Sequence, residues 1–227
     1  KEKREYTVTV AKEEHLEIGY RVAGDRIEDA IYKPSKVERA KAVGALRDEV
    51  EAALKEADPE ISDFAIEQAF EHIQKKAFRI SILEKGIRAD GRKVEELRPL
   101  TAEAGILPRV HGSALFARGE TQALATTTLA PADEKQYFDN YAGGEDSKHF
   151  ILHYSFPPFS VGESGRFGGL NRREIGHGAL SERSIEAVIP DLEEFPYAIR
   201  VTSEVLESNG SSSMATVCSG TMSLLQA

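Results

Sequence analysis

Cysteine is almost missing from this 227-residue chain. Cys218 stands alone, so no intrachain disulfide can form, and the composition suits a reducing compartment. Long apolar runs are missing too. No stretch of about 18 apolar residues occurs, which leaves a membrane span unsupported. The opening "KEKREYTVTV" lacks the apolar centre of a signal peptide. Nor is there an excess of positive charge. Lys and Arg number 29 against 38 Asp and Glu, a net charge of −9. Bulk charge therefore cannot recruit a nucleic acid, and any such site must concentrate its arginines locally. No initiator Met precedes Lys1. The expectation is a processed or excised piece of a longer, cytoplasmic chain.

What is present is globular in composition, with 41% hydrophobic and 30% charged residues. The β-branched alternation of residues 4–10 predicts a strand, followed by a solvated stretch. Val37, Ala40, Val43, Val50 and Leu54 then recur at helical spacing. "ADPEIS" interrupts that pattern, with Asp58 as the expected N-cap and Pro59 opening a second helix to about residue 84. This helix is expected to bury Phe64, Ile66, Phe70, Ile73, Ala77 and Ile80 and to stop at Gly86. Residues 20–86 thus read as a small α-helical module.

From Leu97 the pattern changes. "GSALFARGETQALATTTLA" holds two β-rich runs around Arg118-Gly119-Glu120, a hairpin signal. "DEKQYFDNYAGGEDSKH" reads as a loop, "FILHYSF" and "YAIRVTSEVLE" as strands, and "RREIGHGALSERSIEAVI" as a helix. The fold class expected for the whole chain is α+β, an all-α module followed by a mixed α/β core.

Two places could carry chemistry. The first is "ESNGSSSMATVCSGTMSLLQA". Asn209-Gly210 suits a left-handed turn. Met214, Val217, Cys218, Met222 and Leu225 mark the expected apolar face of a helix, with Cys218 a core residue. Ser211, Ser212 and Ser213 then stand at the helix start, where unpaired N–H groups and the positive end of the dipole favour an anion, phosphate in particular. A helix cap explains Ser211 or Ser212 as well. The Lys-Ser/Thr ending of a nucleotide P-loop is absent.

The second is the glycine-rich loop leading to Arg172-Arg173. Arg166, Arg172 and Arg173 lie close together in an acidic chain, and two cations at a helix N-terminus oppose the dipole. An anionic ligand would resolve that conflict; pairing with Glu163 or Glu174 would resolve it equally. His177 follows Arg173 by one helical turn, between Gly176 and Gly178. His149 and His153 have no Cys or carboxylate to complete a zinc set, so no metal site is expected.

Four stretches, "LPRVHGSALFARGETQAL" (107–124), "HYSFPPFSVGESGRFGG" (153–169), "RREIGHGAL" (172–180) and "FPYAIRVTSEVLESNGSSSMATVCSGT" (195–221), with "RADGR" (88–92), resemble the polynucleotide phosphorylase family. They match its second ribonuclease-PH-type core domain in order and spacing. The resemblance implies that residues 1–19 are the tail of a first core, 20–86 the inter-core helical linker, and 87–227 the N-terminal part of the second core, of the ribosomal protein S5 domain 2-like class. It implies an exoribonuclease in which inorganic phosphate releases nucleoside diphosphates from RNA 3′ ends, reversibly, within a homotrimeric ring. Phosphate would be held by Arg172, Arg173, Ser211, Ser212 and Ser213. His177 and Arg173 would be catalytic, and Arg166 and Arg172 would meet RNA. The family's paired aspartates, which hold Mg²⁺, have no counterpart before Ala227, and neither the first core nor the KH and S1 domains are present. The isolated chain is therefore expected to be inactive. A non-catalytic RNA-binding subunit of an exosome-like ring is the alternative. A single-domain ribonuclease PH is disfavoured by the helical module.

Overall fold

The computed structural model describes residues 3–4, 11–139, 141, 143–166, 168–169 and 171–227. The strand expected over 4–10 lies almost wholly outside them. The chain divides into two units, up to Leu97 and from Arg98.

The named elements of the first unit, among the described residues, are four helices: α1 (Glu13–Ala23), α2 (Arg26–Ile31), α3 (Lys36–Ala57) and α4 (Asp63–Lys85). α1 and α2 occupy the stretch expected to be solvated. Their buried positions include His15, Gly19 and Ala23, which carry little apolar signal. His15 is accommodated because both ring nitrogens are engaged, one by the Lys12 N–H at 3.3 Å and one by Asp58 at 3.2 Å. Gly19 lets α4 approach, since a Cβ there would lie 2.4 Å from Ile73 Cδ1. Ser35 caps α3 and Ser62 caps α4, each hydroxyl accepting a backbone N–H at 3.2 Å. Asp58 therefore ends α3 and does not start α4. Gly86 closes α4 in the left-handed conformation, as its sequence position predicts. The buried stripe of α4 runs through Ile66, Phe70, Ile73 and Ser81. Phe64 and Ile80 lie off that stripe and are 52% and 43% exposed.

The second unit is a five-stranded sheet in the order β1-β2-β3-β7-β6, with β1 (Leu100–Ala104), β2 (Gly112–Arg118), β3 (Gln122–Pro131), β6 (Phe150–Ser155) and β7 (Tyr197–Glu207). β1, β2, β3 and β7 pair antiparallel, and Gly119 turns the β2–β3 hairpin with φ 56°. β6 pairs parallel to β7, so the helix between them, α5 (Arg172–Glu186), is a crossover. The segment expected to be a loop contains a small hairpin, β4 (Gln136–Asp139) with β5 (Glu145–Lys148).

The last helix, α6 (Ser212–Gln226), packs against β2, β3, β7 and α5. Its buried face is Ser212, Ser213, Ala215, Thr216, Ser219, Gly220 and Ser223. The expected apolar face is thus largely the outer one: Met214 and Cys218 are exposed and Leu225 is 84% exposed. Close approach decides this. A Cβ at Gly112 of β2 would lie 1.9 Å from the Ser223 carbonyl oxygen, so only small side chains fit between helix and sheet. Their hydroxyls are satisfied in pairs, Thr127 with Ser223 at 2.8 Å and Ser203 with Thr216 at 2.9 Å. The apolar core of this unit lies under α5, from Phe150, Leu152, Tyr154 and Phe156 to Ile185, Ile199, Val201 and Val205.

Candidate anion-binding site at the starts of two helices

Alternation along β6 turns Phe150, Leu152 and Tyr154 to one face, and Phe156 continues that series beyond the strand. The first two turns of α5 lie over its far end. Asn171 and Glu174 form a reciprocal capping box, with bonds of 2.8 and 3.1 Å, and the other oxygen of Glu174 accepts the Phe156 N–H at 2.8 Å. Glu174 is thereby committed to backbone. Among the described residues neither Arg172 nor Arg173 makes a salt bridge to it or to Glu163, and Arg166 and Arg172 are exposed with no polar partner. Arg173 instead lies over the Phe156 ring, its guanidinium carbon 4.2 Å from the centroid.

One turn on, the imidazole of His177 stacks on Tyr154, with centroids 5.7 Å apart and planes 29° from parallel. Its Nδ1 is buried and, among the described residues, has no hydrogen-bond partner. Burial pushes the His177 pKa below the usual imidazole value, and the adjacent Arg173 charge lowers it further. His177 is therefore neutral at neutral pH.

Tyr154 connects this group to α6. Its hydroxyl lies 2.7 Å from Ser212 Oγ in a buried bond. Ser181 of α5 adds a second link, within 3.0 Å of the His177 carbonyl and 3.1 Å of the Ser213 carbonyl. The structure thus brings Arg173, His177, Ser212 and Ser213 into one group. The three serines differ. Ser212 is fully buried and Ser213 nearly so, while Ser211 is exposed. Ser211 sits at the N-cap position of α6 but has φ 53°, the left-handed region, and its side chain makes no cap bond. No side-chain cap therefore satisfies the first N–H groups of α6.

The turn ahead of α6 is firmly held. Arg98 donates to the Asn209 carbonyl at 2.9 Å, and Arg118 and Thr121 donate to the Gly210 carbonyl at 3.0 and 3.1 Å. Asn209 donates to Glu120 at 2.8 Å. The Gly210 carbonyl is thus fixed by the β2–β3 hairpin, and the Asn209 carbonyl by Arg98 ahead of β1. Tyr154, Phe156, Arg98, Arg118 and Thr121 are not among the site residues that the sequence points to. The alternation in "FILHYSF" was a signal for the first two. Among the described residues, no group of three or more His, Cys, Asp or Glu side chains is placed to share one metal ion. No helix among them is long and apolar enough to cross a membrane.

The sheet with its crossover helix and its α6 layer is a ribonuclease-PH-type core, preceded by a helical unit. An Archaeoglobus fulgidus exosome structure with RNA bound to its active site shares this fold, with a TM-score of 0.53 at 19% identity over 68% of this chain and 61% of that one. Residues 96–227 match the family model of the 3′ exoribonuclease family, domain 1, and residues 18–93 match that of the polyribonucleotide nucleotidyltransferase RNA-binding domain. The chain belongs to the 3′ exoribonuclease family, in its polyribonucleotide nucleotidyltransferase branch. The polyribonucleotide nucleotidyltransferase of Akkermansia muciniphila is 70% identical over 226 residues, 99% of this chain and 32% of that protein. That of Methylacidiphilum infernorum is 52% identical over 218 residues, 95% of this chain and 31% of that protein. The chain spans about a third of the length of these relatives.

Proposed function

We propose that this chain is the phosphate-binding part of a phosphorolytic 3′-to-5′ exoribonuclease. Inorganic phosphate attacks the terminal phosphodiester of RNA. The bond from phosphorus to the penultimate 3′ oxygen breaks, a nucleoside diphosphate leaves, and the shortened RNA retains a 3′ hydroxyl. The reverse reaction adds nucleotides. The observation that carries this reading is that Tyr154 ties the uncapped start of α6 to the ring stack on which His177 and Arg173 lie, with Ser181 as a second link between the two helices.

In this reading phosphate lies against the first turn of α6. The N–H groups of Ser212 and Ser213 and the Ser211 hydroxyl donate to it, and Arg173 supplies a charged donor. Arg172 adds positive charge at the mouth, and Arg172 and Arg166 meet the RNA backbone. His177, neutral, orients the phosphate and handles a proton. Mg²⁺ belongs to residues outside this chain and would assist the leaving oxygen. The whole protein is a cytoplasmic homotrimer with a first core before residue 20 and RNA-binding KH and S1 domains elsewhere. Residues 20–86 form its inter-core linker and 87–227 the start of its second core.

The test is Arg173→Ala in the longer protein. A charge-assisted bond is worth about 1.5–3 kcal/mol, so phosphorolysis should need about 10- to 100-fold more phosphate. Lys should restore little, because it lacks the planar fork. Unchanged phosphate dependence would remove Arg173 from the site and favour a non-catalytic subunit of an exosome-like ring.

A further inference from the structure

Tyr154 is almost wholly buried, yet it touches both halves of the candidate site. Its ring lies under His177 and is stacked on Phe156, the ring that underlies Arg173, at 6.3 Å and 15°. Its hydroxyl holds Ser212, the first residue of α6. The Ser212 side chain is therefore turned inward, away from any ligand, and what it can offer an anion is its backbone N–H.

We propose that Tyr154 is a positioning residue for phosphate: one rigid side chain sets the distance between the open N–H groups of α6 and the Arg173–His177 face of α5. The inference rests on the phosphate-site reading given above. Three observations support it. A phenol has only two side-chain torsions, so its two ends are held at a fixed separation. A Cβ added at Gly178 would lie 3.3 Å from Tyr154 Cβ, so α5 packs closely over the ring. Burial raises the Tyr154 phenol above its usual pKa, which keeps the hydroxyl protonated through the working pH range.

The other buried hydroxyl pairs of α6, Ser203–Thr216 and Thr127–Ser223, tie the same helix to the sheet one and three turns further along. They provide the control. Tyr154→Phe keeps the ring stack and removes only the link to Ser212. Measured in the longer protein with inorganic phosphate as the varied substrate, it should raise the phosphate KM about fivefold, the equivalent of one hydrogen bond. Its kcat should stay within about twofold. Ser212→Ala should do the same, and the double variant should be no worse than either single one, because both delete one bond. Ser223→Ala should lower Tm comparably and leave the phosphate KM unchanged. The proposal is overturned if Tyr154→Phe leaves the phosphate KM unchanged while Arg173→Ala raises it, or if Ser223→Ala raises it as much as Tyr154→Phe. If Arg173→Ala has no effect either, the phosphate-site reading falls and this inference with it.

Discussion

The imidazole of His177 rests on the ring of Tyr154, 5.7 Å between centroids, and its Nδ1 is buried without a partner among the described residues. Burial first, and the Arg173 charge second, lower its pKa from 6.5. A depressed histidine binds its proton more weakly in the folded state than in the unfolded one. Its contribution to stability is therefore full above pH 6.5 and is lost as the pH falls toward the folded value. An NMR titration of His177 should give a midpoint below 6.5, and Arg173→Ala should move it upward by removing the smaller cause. A midpoint at or above 6.5 would contradict the burial of the ring. In the longer protein, His177→Ala should lower turnover about 10²- to 10⁴-fold if the ring handles a proton. RNA binding should change far less.

Ser211 holds a left-handed backbone at the start of α6. That conformation costs a non-glycine residue about 1–2 kcal/mol, and glycine adopts it freely. Ser211→Gly should therefore stabilise the protein by up to about 1 kcal/mol after the extra chain entropy of glycine is counted. Tm should rise by roughly 2–4 °C. The same change deletes an exposed hydroxyl, so the phosphate requirement should rise a few-fold. A stabilised variant with wild-type phosphate dependence would show that the hydroxyl does not meet the anion.

Gly112→Ala tests how closely α6 lies on the sheet. The added methyl would meet the Ser223 backbone oxygen at 1.9 Å, and a backbone atom cannot swing aside. Overpacking of this kind costs about 1–3 kcal/mol, a fall in Tm of roughly 2–12 °C. Gly220→Ala meets only the Cδ1 tip of Ile185 at 2.9 Å and should cost less. Thermal melts that rank the two in the opposite order would argue against this packing.

In the helical unit, Glu28 of α2 is paired with Lys85 and bonded to Ser81, and these two partners hold its carboxyl below the usual range. Such a group contributes stability above its unfolded pKa and loses it as the pH falls through the lowered folded value. Wild-type Tm should therefore drop more steeply than that of Glu28→Gln between about pH 6 and about pH 3. Equal slopes would mean that the pair adds nothing, the common result for exposed ion pairs.

Much of this structure is legible in the sequence where a signal is local. The Gly86 stop, the turn at Gly119, the β6–α5–β7 order and the placing of His177 one turn after Arg173 all follow from residue type and spacing. What escapes depends on partners distant in sequence. His15 is buried because Asp58 is there to receive it. The inner face of α6 is made of serine and threonine because the sheet lies too near for anything larger, and because Thr127 and Ser203 await the hydroxyls. Periodicity alone favours the Met and Leu stripe, which is why the helix reads inside out. Tyr154 and Phe156 look like ordinary core aromatics until α5 is laid over them.

The two stacked pairs also limit how this segment can change. A strand repeats its facing every two residues, about 6.6 Å; a helix nearly repeats it every four, about 6 Å. Tyr154 under His177 and Phe156 under Arg173 are two rungs cut to that common spacing. A one-residue insertion inside β6 would present His153 and Ser155 to the helix and empty both rungs together. Just past the strand the chain is anchored too: Ser160 is buried and its carbonyl accepts the Ser208 N–H at 2.7 Å, while the Asn171–Glu174 box fixes the phase in which α5 starts.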